Sequence, residues 1–367
     1  MANERARRIG VLTGGGDCPG LNAVIRAVTK TAQLEYGASV LGIQDGFEGL
    51  VEGRAHELAH QEVCGILGLG GTILGSSNKG DPWHYPTETA RGKIEIHDMA
   101  FKAIRHVERW QLDCLVAIGG DGTMHIARRL SEAGVPVIGV PKTIDNDVPA
   151  TDVTFGFDTA VSVVCEAIDR LASTASSHHR VMVVEVMGRY AGWIALMGGV
   201  AGGADVILIP EIRFRWDSVF RKVDERQTQG KRFTMVCVAE GVRLPDGNEV
   251  VAEIDSKRTD AKRLGGAGAV VAHAIEQGTG HEARVTVLGH LQRGGSPTSF
   301  DRVLATRYGT AAARLACSGQ GGVMVALRDG RIEAVPLEQA TGELRRVPLD
   351  HDLIAAARSV GTSFGDH

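Results

Sequence analysis

Short, β-branched, continuously apolar runs recur along the chain at Ile9–Thr13, Val40–Ile43, Cys114–Ile118, Val135–Val140, Val181–Val186, Asp205–Ile209, Thr234–Ala239 and Arg284–Leu288. Taken together, these nearly continuous apolar runs with helical stretches between them predict a parallel sheet covered on both faces. That is an open, doubly wound α/β architecture. Ligands in such sheets bind beyond the carboxyl ends of the strands. Four of the segments just after a run have unusual composition: Gly14–Gly20 (GGGDCPG), Gly119–Thr123 (GGDGT), Pro141–Asp147 (PKTIDND) and Gly289–Gly295 (GHLQRGG). The glycine-bordered stretch from Met187 to Met197 reads as a helix packed on a sheet, and the charged, glycine-rich Val242–Gly268 as an inserted surface excursion. No internal repeat of about 20–50 residues is present.

Length and composition narrow the function. At roughly 100–200 residues per domain, 367 residues predict two domains. Lysine plus arginine number 40 against 44 acidic residues, which argues against a molecule-wide nucleic-acid or membrane surface and makes any anion site local. Glycine is in excess at 48 residues, in clusters, as expected where backbone approaches ligands. No apolar run is long enough for a membrane span, and Met1–Arg8 is followed by too short an apolar stretch for a signal peptide, so the expected location is the cytoplasm. Cys18, Cys64, Cys114, Cys165, Cys237 and Cys317 are widely spaced and read as reduced core thiols.

The junctions carry the chemistry. After the first run the glycines leave backbone N–H groups bare, and Pro19 can open a helix from Leu21 toward Lys30, whose N-terminus suits a phosphate. A tight turn without a ligand is the plain alternative. Gly14, Gly16 and Gly20 also spell GxGxxxG, a relaxed dinucleotide fingerprint with Glu35 as ribose ligand, so a nicotinamide-dependent oxidoreductase is a rival reading. GGDGT repeats the bare-amide arrangement before a helix through Met124–Leu130 and adds Asp121, a hard oxygen ligand for Mg²⁺ on a polyphosphate, unless it merely caps that helix. Two cradles and one carboxylate point to a nucleoside triphosphate more than to a nicotinamide. GxxxxGK[ST] is absent, which excludes a P-loop kinase.

PKTIDND places Asp145 and Asp147 on a loop, where a carboxylate can take the proton of an attacking hydroxyl; an Asx-rich turn is the alternative. Lys142, Arg180, Arg189, Arg284, His290 and Arg293 gather at comparable positions and suggest a second anionic ligand opposite the first. Phosphoryl transfer between the two is the reaction this implies. A silent nucleotide sensor is a third reading, against which Asp121, Asp145 and Arg293 weigh. His56–His60 (HELAH) matches a zinc-protease pattern but lacks the helical apolar stripe that two zinc-binding histidines need.

GGGDCPGLN, GGDGT, PKTIDND, VEVMGRYAG and VLGHLQRGG, in this order and spacing from Ile9 to about Gly322, closely resemble the 6-phosphofructokinases, in particular the actinobacterial-type, mixed-substrate branch. The resemblance implies two open, mostly parallel doubly wound sheets facing each other across the active cleft. It places donor binding in 1–156 plus 292–342 and sugar binding in 157–291 plus 343–367. It also implies phosphorylation of the 1-hydroxyl of fructose 6-phosphate. Carried over by residue, Gly15, Gly16, Gly120, Asp121, Gly122 and Thr123 hold the donor, with Mg²⁺ on Asp121. Asp145 is the base, Thr143 lies beside the transferring group, and Asp147 assists. Ile144, Met187, Gly188, Arg189, Glu240, His290, Leu291, Gln292 and Arg293 surround the sugar phosphate, with Arg189 also placed in the catalytic set. Arg180 and Arg284 match arginines supplied by a neighbouring subunit, implying a dimer or tetramer.

In that family glycine follows the GGD aspartate in ATP users and aspartate in pyrophosphate users, while the residue after the proline of the TIDND motif is glycine or lysine respectively. This chain pairs Gly122 with Lys142. A carboxylate at 122 would exclude a nucleotide by bulk and repulsion, whereas Lys142 only adds attraction, so ATP is the expected donor and pyrophosphate the alternative. Three departures stand out: Asn78 with Lys79 replaces a phosphate-bridging arginine, Phe47 replaces an adenine-facing tyrosine, and the segment between Glu240 and Arg284 is long. Arg26, Lys30 and Asp205 match parts of the family's effector site.

Overall fold

The computed structural model describes residues 7–88, 92–254 and 262–367; most of the N-terminal stretch Met1–Arg8 and the middle of Val242–Gly268 lie outside the described residues. The first half of the chain forms β1 (Arg8–Thr13), α1 (Leu21–Tyr36), β2 (Ser39–Ile43), α2 (Phe47–Glu52), β3 (Ala55–Glu57), a hairpin of β4 (Tyr85–Glu88) and β5 (Ile94–His97), α3 (Ala100–Arg109), β6 (Cys114–Gly119), α4 (Asp121–Glu132), β7 (Val137–Pro141) and α5 (Phe157–His178). There follow β8 (Val181–Val186), α6 (Trp193–Ala201), β9 (Val206–Leu208), α7 (Trp216–Thr228), β10 (Thr234–Ala239), the paired β11 (Val251–Ile254) and β12 (Lys262–Leu264), and α8 (Ala267–Thr279). The chain ends with β13 (Ala283–Val287), α9 (Ser299–Cys317), β14 (Val323–Arg328), β15 (Arg331–Pro336), α10 (Leu337–Ala340) and α11 (Asp352–Ser359).

The strands assemble into a seven-stranded sheet, ordered β15-β14-β7-β6-β1-β2-β3, and a four-stranded sheet, ordered β13-β8-β10-β9. In the first, β1, β2, β6, β7 and β14 run parallel, while β3 and β15 close the two edges antiparallel. All strand pairs of the second are parallel. The central strands β1, β6, β7, β8 and β10 are buried along nearly their whole length, as their unbroken apolar character requires. α1 ends at Gly37, whose φ of 60° lets its N–H return to the last turn, a conformation that disfavours a Cβ.

Strand β13 is an edge: Val285 and Val287 on it, and Leu291 just beyond, are 41%, 56% and 68% exposed. The expected excursion of Val242–Gly268 contains the antiparallel pair β11–β12. HELAH is not helical: His56 lies on β3 opposite Gly42 of β2, and His60 lies beyond the strand, which removes the zinc-protease geometry. Four cysteines are buried and all six are free, but Cys64 is exposed rather than in the core.

Candidate active site

Chain order makes the site. From β1 the chain runs to β2 on one side and later returns to β6 on the other, so the switch point of the seven-stranded sheet lies between β1 and β6. The three adjacent strands β1, β6 and β7 end at Thr13, Gly119 and Pro141, which places GGGDCPG, GGDGT and PKTIDND side by side at one sheet edge. In the other sheet the neighbours β13, β8 and β10 end at Val287, Val186 and Ala239, which does the same for GHLQRGG, MGRYAG and Glu240.

The two sets of loops meet. Arg293 Nη1 donates to the Asp17 carbonyl at 3.2 Å, and a Cβ on Gly16 would stand 3.0 Å from the same nitrogen. Lys142 is buried, its ammonium donates to the Gly16 carbonyl, and burial pulls its pKa down. Gly15, at φ 78°, has Lys142 Nζ, Asn78 Oδ1 and Thr123 Oγ1 all within 4 Å of where a Cβ would sit, so side chains converge around bare backbone. Gly15 N–H also donates to Ser77 O at 3.3 Å, which sets the Gly75–Lys79 segment against the first cradle. Gly120 precedes α4, and Asp121, Gly122 and Thr123 form its first turn.

Asp145 is buried, its Oδ2 accepts from Thr143 Oγ1 at 3.3 Å, and its Oδ1 has no hydrogen-bond partner in the protein. Thr143 Oγ1 in turn accepts from the Asp145 N–H at 3.1 Å. Thr154 holds the loop from below, donating to Thr143 O at 2.7 Å through its hydroxyl and to Asn146 Oδ1 at 3.0 Å through its N–H. No motif marks Thr154 in the sequence.

Acidic groups crowd the cleft. Burial, then the charges of Asp145 and Asp121, pushes Asp147 up to about 7. Burial, then Asp145, pushes Glu240 up to about 7 as well, and burial raises Asp121 against the opposing pull of His125 and Arg189. Glu240 Oε1 accepts from the Arg189 N–H at 3.2 Å. Asp121 Oδ1 is buried without a hydrogen-bond partner, with His125 Nδ1 3.3 Å away. Among the described residues no three histidine, cysteine or carboxylate side chains group as a protein-only metal site. One orphaned carboxylate beside phosphate-ready amides fits Mg²⁺ that is bound mainly through a polyphosphate.

The remaining expected residues fall into three groups. Met187 N–H donates to Gln292 Oε1 at 3.3 Å and Gln292 Nε2 to Gly289 O at 3.2 Å, so buried Gln292 braces the two sugar-side loops, with Gly188 at φ 136° between them and Arg189. His290 and Leu291 are exposed on the same short turn, whereas the Ile144 side chain is wholly buried and offers only its backbone. Arg180 and Arg284 lie at the opposite, amino ends of β8 and β13. Both pair with Glu282, Arg180 at 2.9 Å, and the structure does not bring them to the cleft of their own chain.

Two expected roles change. Phe47 is buried against the core that contains Leu12 and Leu50 and presents no open stacking face. Glu35, the ribose ligand of the oxidoreductase reading, sits in the last turn of α1 and pairs with Arg314 at 2.9 Å, far from the strand ends where a dinucleotide would bind. Asp205 is tied to Arg226 at 2.7 Å and to the Met235 N–H at 2.8 Å.

The family model described as Phosphofructokinase matches residues 8–316. The chain is 51% identical over 370 residues to an ATP-dependent 6-phosphofructokinase of Spirochaeta thermophila, covering all of both chains. It is 50% identical over 343 residues to ATP-dependent 6-phosphofructokinase 2 of Streptomyces coelicolor, covering 94% of this chain and 97% of that one. Among solved structures, phosphofructokinase of Pichia pastoris in the T-state superposes with a TM-score of 0.77 at 30% identity, covering 98% of this chain and 37% of that longer one. A pyrophosphate-dependent phosphofructokinase of Marinobacter aquaeolei superposes equally well, at 0.77, but at 22% identity and over 94% and 86% of the two chains, a likeness of fold alone.

Proposed function

The chain belongs to the phosphofructokinase family, and we propose that its cleft between the two sheets joins a donor pocket at the β1, β6 and β7 ends to a sugar-phosphate pocket at the β8, β10 and β13 ends. The reaction is transfer of the γ-phosphoryl group of ATP to the 1-hydroxyl of fructose 6-phosphate, giving ADP and fructose 1,6-bisphosphate, a glycolytic step. The observation that carries the assignment of roles is Asp145: a buried carboxylate, oriented by Thr143, with one oxygen left open between the cradles and the late cations.

In this reading Asp145 Oδ1 accepts the proton of the sugar hydroxyl as that oxygen attacks the γ-phosphorus and the bond to the β-phosphate oxygen breaks. The bare backbone of Gly15 and the amides of Gly16 and Gly120–Thr123 hold the donor phosphates, and Lys142 and Arg189 face the charge that spreads over the transferring group. Asp121 would hold Mg²⁺, which when bound would neutralise donor charge. Glu240, Met187 and Gly188 shape the sugar pocket, with His290 and Arg293 taking its phosphate. The donor side belongs to 1–156 plus 292–342 and the sugar side to 157–291 plus 343–367. Arg180, half-buried, and Arg284, exposed, both at the strand ends away from their own cleft, serve a neighbouring copy in a homo-oligomer. ATP and a glycolytic sugar phosphate as substrates support a cytoplasmic location.

A coupled assay with fructose 6-phosphate and either ATP or pyrophosphate tests the reading: ATP should be the better donor by kcat/KM. Asp145→Ser should lower kcat by about 10²–10⁴-fold with little change in sugar binding. Near wild-type turnover in that variant would require another base.

A further inference from the structure

The segment Arg345–Val347 reaches from the end of the chain to the loop that carries Asp145, and the mechanism above gives it no task. The Arg345 N–H donates to the Asp147 carbonyl at 2.9 Å, and its Nη1 donates to the Asn146 carbonyl at 3.2 Å. One residue thus holds both peptide oxygens that follow the base. Its guanidinium lies 4.2 Å from the centroid of the Trp193 ring, and Trp193 Nε1 donates back to the Arg345 carbonyl at 2.9 Å. Trp193 opens α6 directly after the turn of Met187–Gly192. Two residues on, the Val347 N–H donates at 3.0 Å to Glu211 Oε1, which also accepts from the Gly192 N–H at 2.9 Å.

The loop has reason to need such a hold. Asn146 is a non-glycine residue at φ 53°, a left-handed conformation that persists only where its surroundings impose it. Its side-chain oxygen is already taken by Thr154, so the orientation of its carbonyl falls to a group from outside the loop. Arg189, on the sugar-side turn, has the same φ of 53°. The strap formed by Arg345–Val347 is bonded to the base loop at Asn146 and Asp147, and to the far end of the sugar turn at Gly192 and Trp193.

We propose that Arg345 is a positioning residue for phosphoryl transfer, which fixes the Asp145 loop relative to the Met187–Gly192 sugar turn. The inference rests on the reading of Asp145 as the base. A base and a hydroxyl on elements from different sheets react only at hydrogen-bond separation, and a displacement on the order of 1 Å costs about 10²-fold in rate. Arg345 acts through the peptide groups that follow the base and through the buried Trp193 ring that follows the sugar turn.

The test uses the full chain with Arg345→Met, which keeps an apolar stem over Trp193 and the main-chain N–H on the Asp147 carbonyl but loses the guanidinium donor to the Asn146 carbonyl, and Arg345→Ala. With ATP and fructose 6-phosphate, Arg345→Met should lose roughly tenfold to hundredfold in kcat while KM for ATP and the melting temperature stay near wild type. Millimolar guanidinium should return part of the kcat of Arg345→Ala and none of that of Asp145→Ser. Hydrogen exchange read by mass spectrometry, without substrates, should quicken together in peptides covering 143–155 and 187–193 of Arg345→Met. Wild-type kcat in Arg345→Met overturns the proposal. So does a loss that follows the melting temperature and ignores guanidinium, or faster exchange confined to 343–350. If wild-type protein itself fails to phosphorylate the sugar, the reading of the reaction falls instead, and the exchange pattern still decides whether Arg345 couples the two loops.

Discussion

Lys142 and Gly122 pull the donor question in opposite directions, and their surroundings decide between them. The Lys142 ammonium is already engaged with the Gly16 carbonyl and weakened by burial, so it lends the pocket attraction toward any phosphate without selecting among them. A carboxylate at 122, in the first turn of α4 beside Asp121, would set like charges against the donor. Gly122→Asp is therefore expected to lower kcat/KM for ATP by about 10²-fold or more, and Lys142→Gly much less; equal losses with each donor compared would contradict the steric and charge argument. The pKa of Glu240 is raised from 4.5 to about 7, so its contribution to stability is complete below pH 4.5 and is lost as pH rises from there to about 7, because the buried carboxyl must ionise next to Asp145. Glu240→Gln keeps an acceptor for the Arg189 N–H. Thermal denaturation of the ligand-free protein should show the variant a few degrees more stable than wild type at pH 8 and equal to it at pH 4, with sugar affinity reduced.

Packing between loops decides what each element can do. Gly241, just after β10, lies so close to the Arg189 carbonyl that a Cβ there would collide with it. Gly241→Ala should push the Met187–Gly192 turn outward, raising KM for fructose 6-phosphate and costing about 1–3 kcal/mol of stability, while ATP affinity measured by calorimetry holds. The central strands were legible because Ile9–Thr13 or Cys114–Ile118 must be buried on both faces and so carry unbroken apolar runs. β15 escapes such a reading: Arg331–Pro336 is mostly exposed at a sheet edge, and its charged residues resemble a loop. β3 and the β4–β5 pair are short and partly exposed for the same reason. The motifs named Asp145, Lys142 and Asp121 because their chemistry demands those side chains. They could not name Arg345, Glu211 or Thr154, which work through main-chain groups and lie far from the motifs or look ordinary in sequence. Phe47 misled because an aromatic side chain reads alike whether its ring faces a ligand or, as in this core, Leu12 and Leu50.

At the scale of the whole molecule, distant parts of the chain complete each sheet: β14, from 323–328, lies against β7, and only folding reveals that neighbourhood. The same scale governs Arg180 and Arg284, which face away from the cleft and share Glu282. If they serve a neighbour, Asp145→Ser and Arg284→Ala chains, each impaired alone, should recover activity when dissociated and reassembled together, since some hybrid sites combine an intact base with an intact arginine. Additive residual activities in the mixture would leave the arginines without that task. The edge position of β13 has a consequence for handling. Its outward main-chain groups meet no further strand of the described chain, and Val285 and Val287 flank them with bare hydrocarbon. A lone copy therefore offers a template on which any unfolded peptide can align, so clouding of dilute, freshly expressed material is to be guarded against before loss of fold by heat.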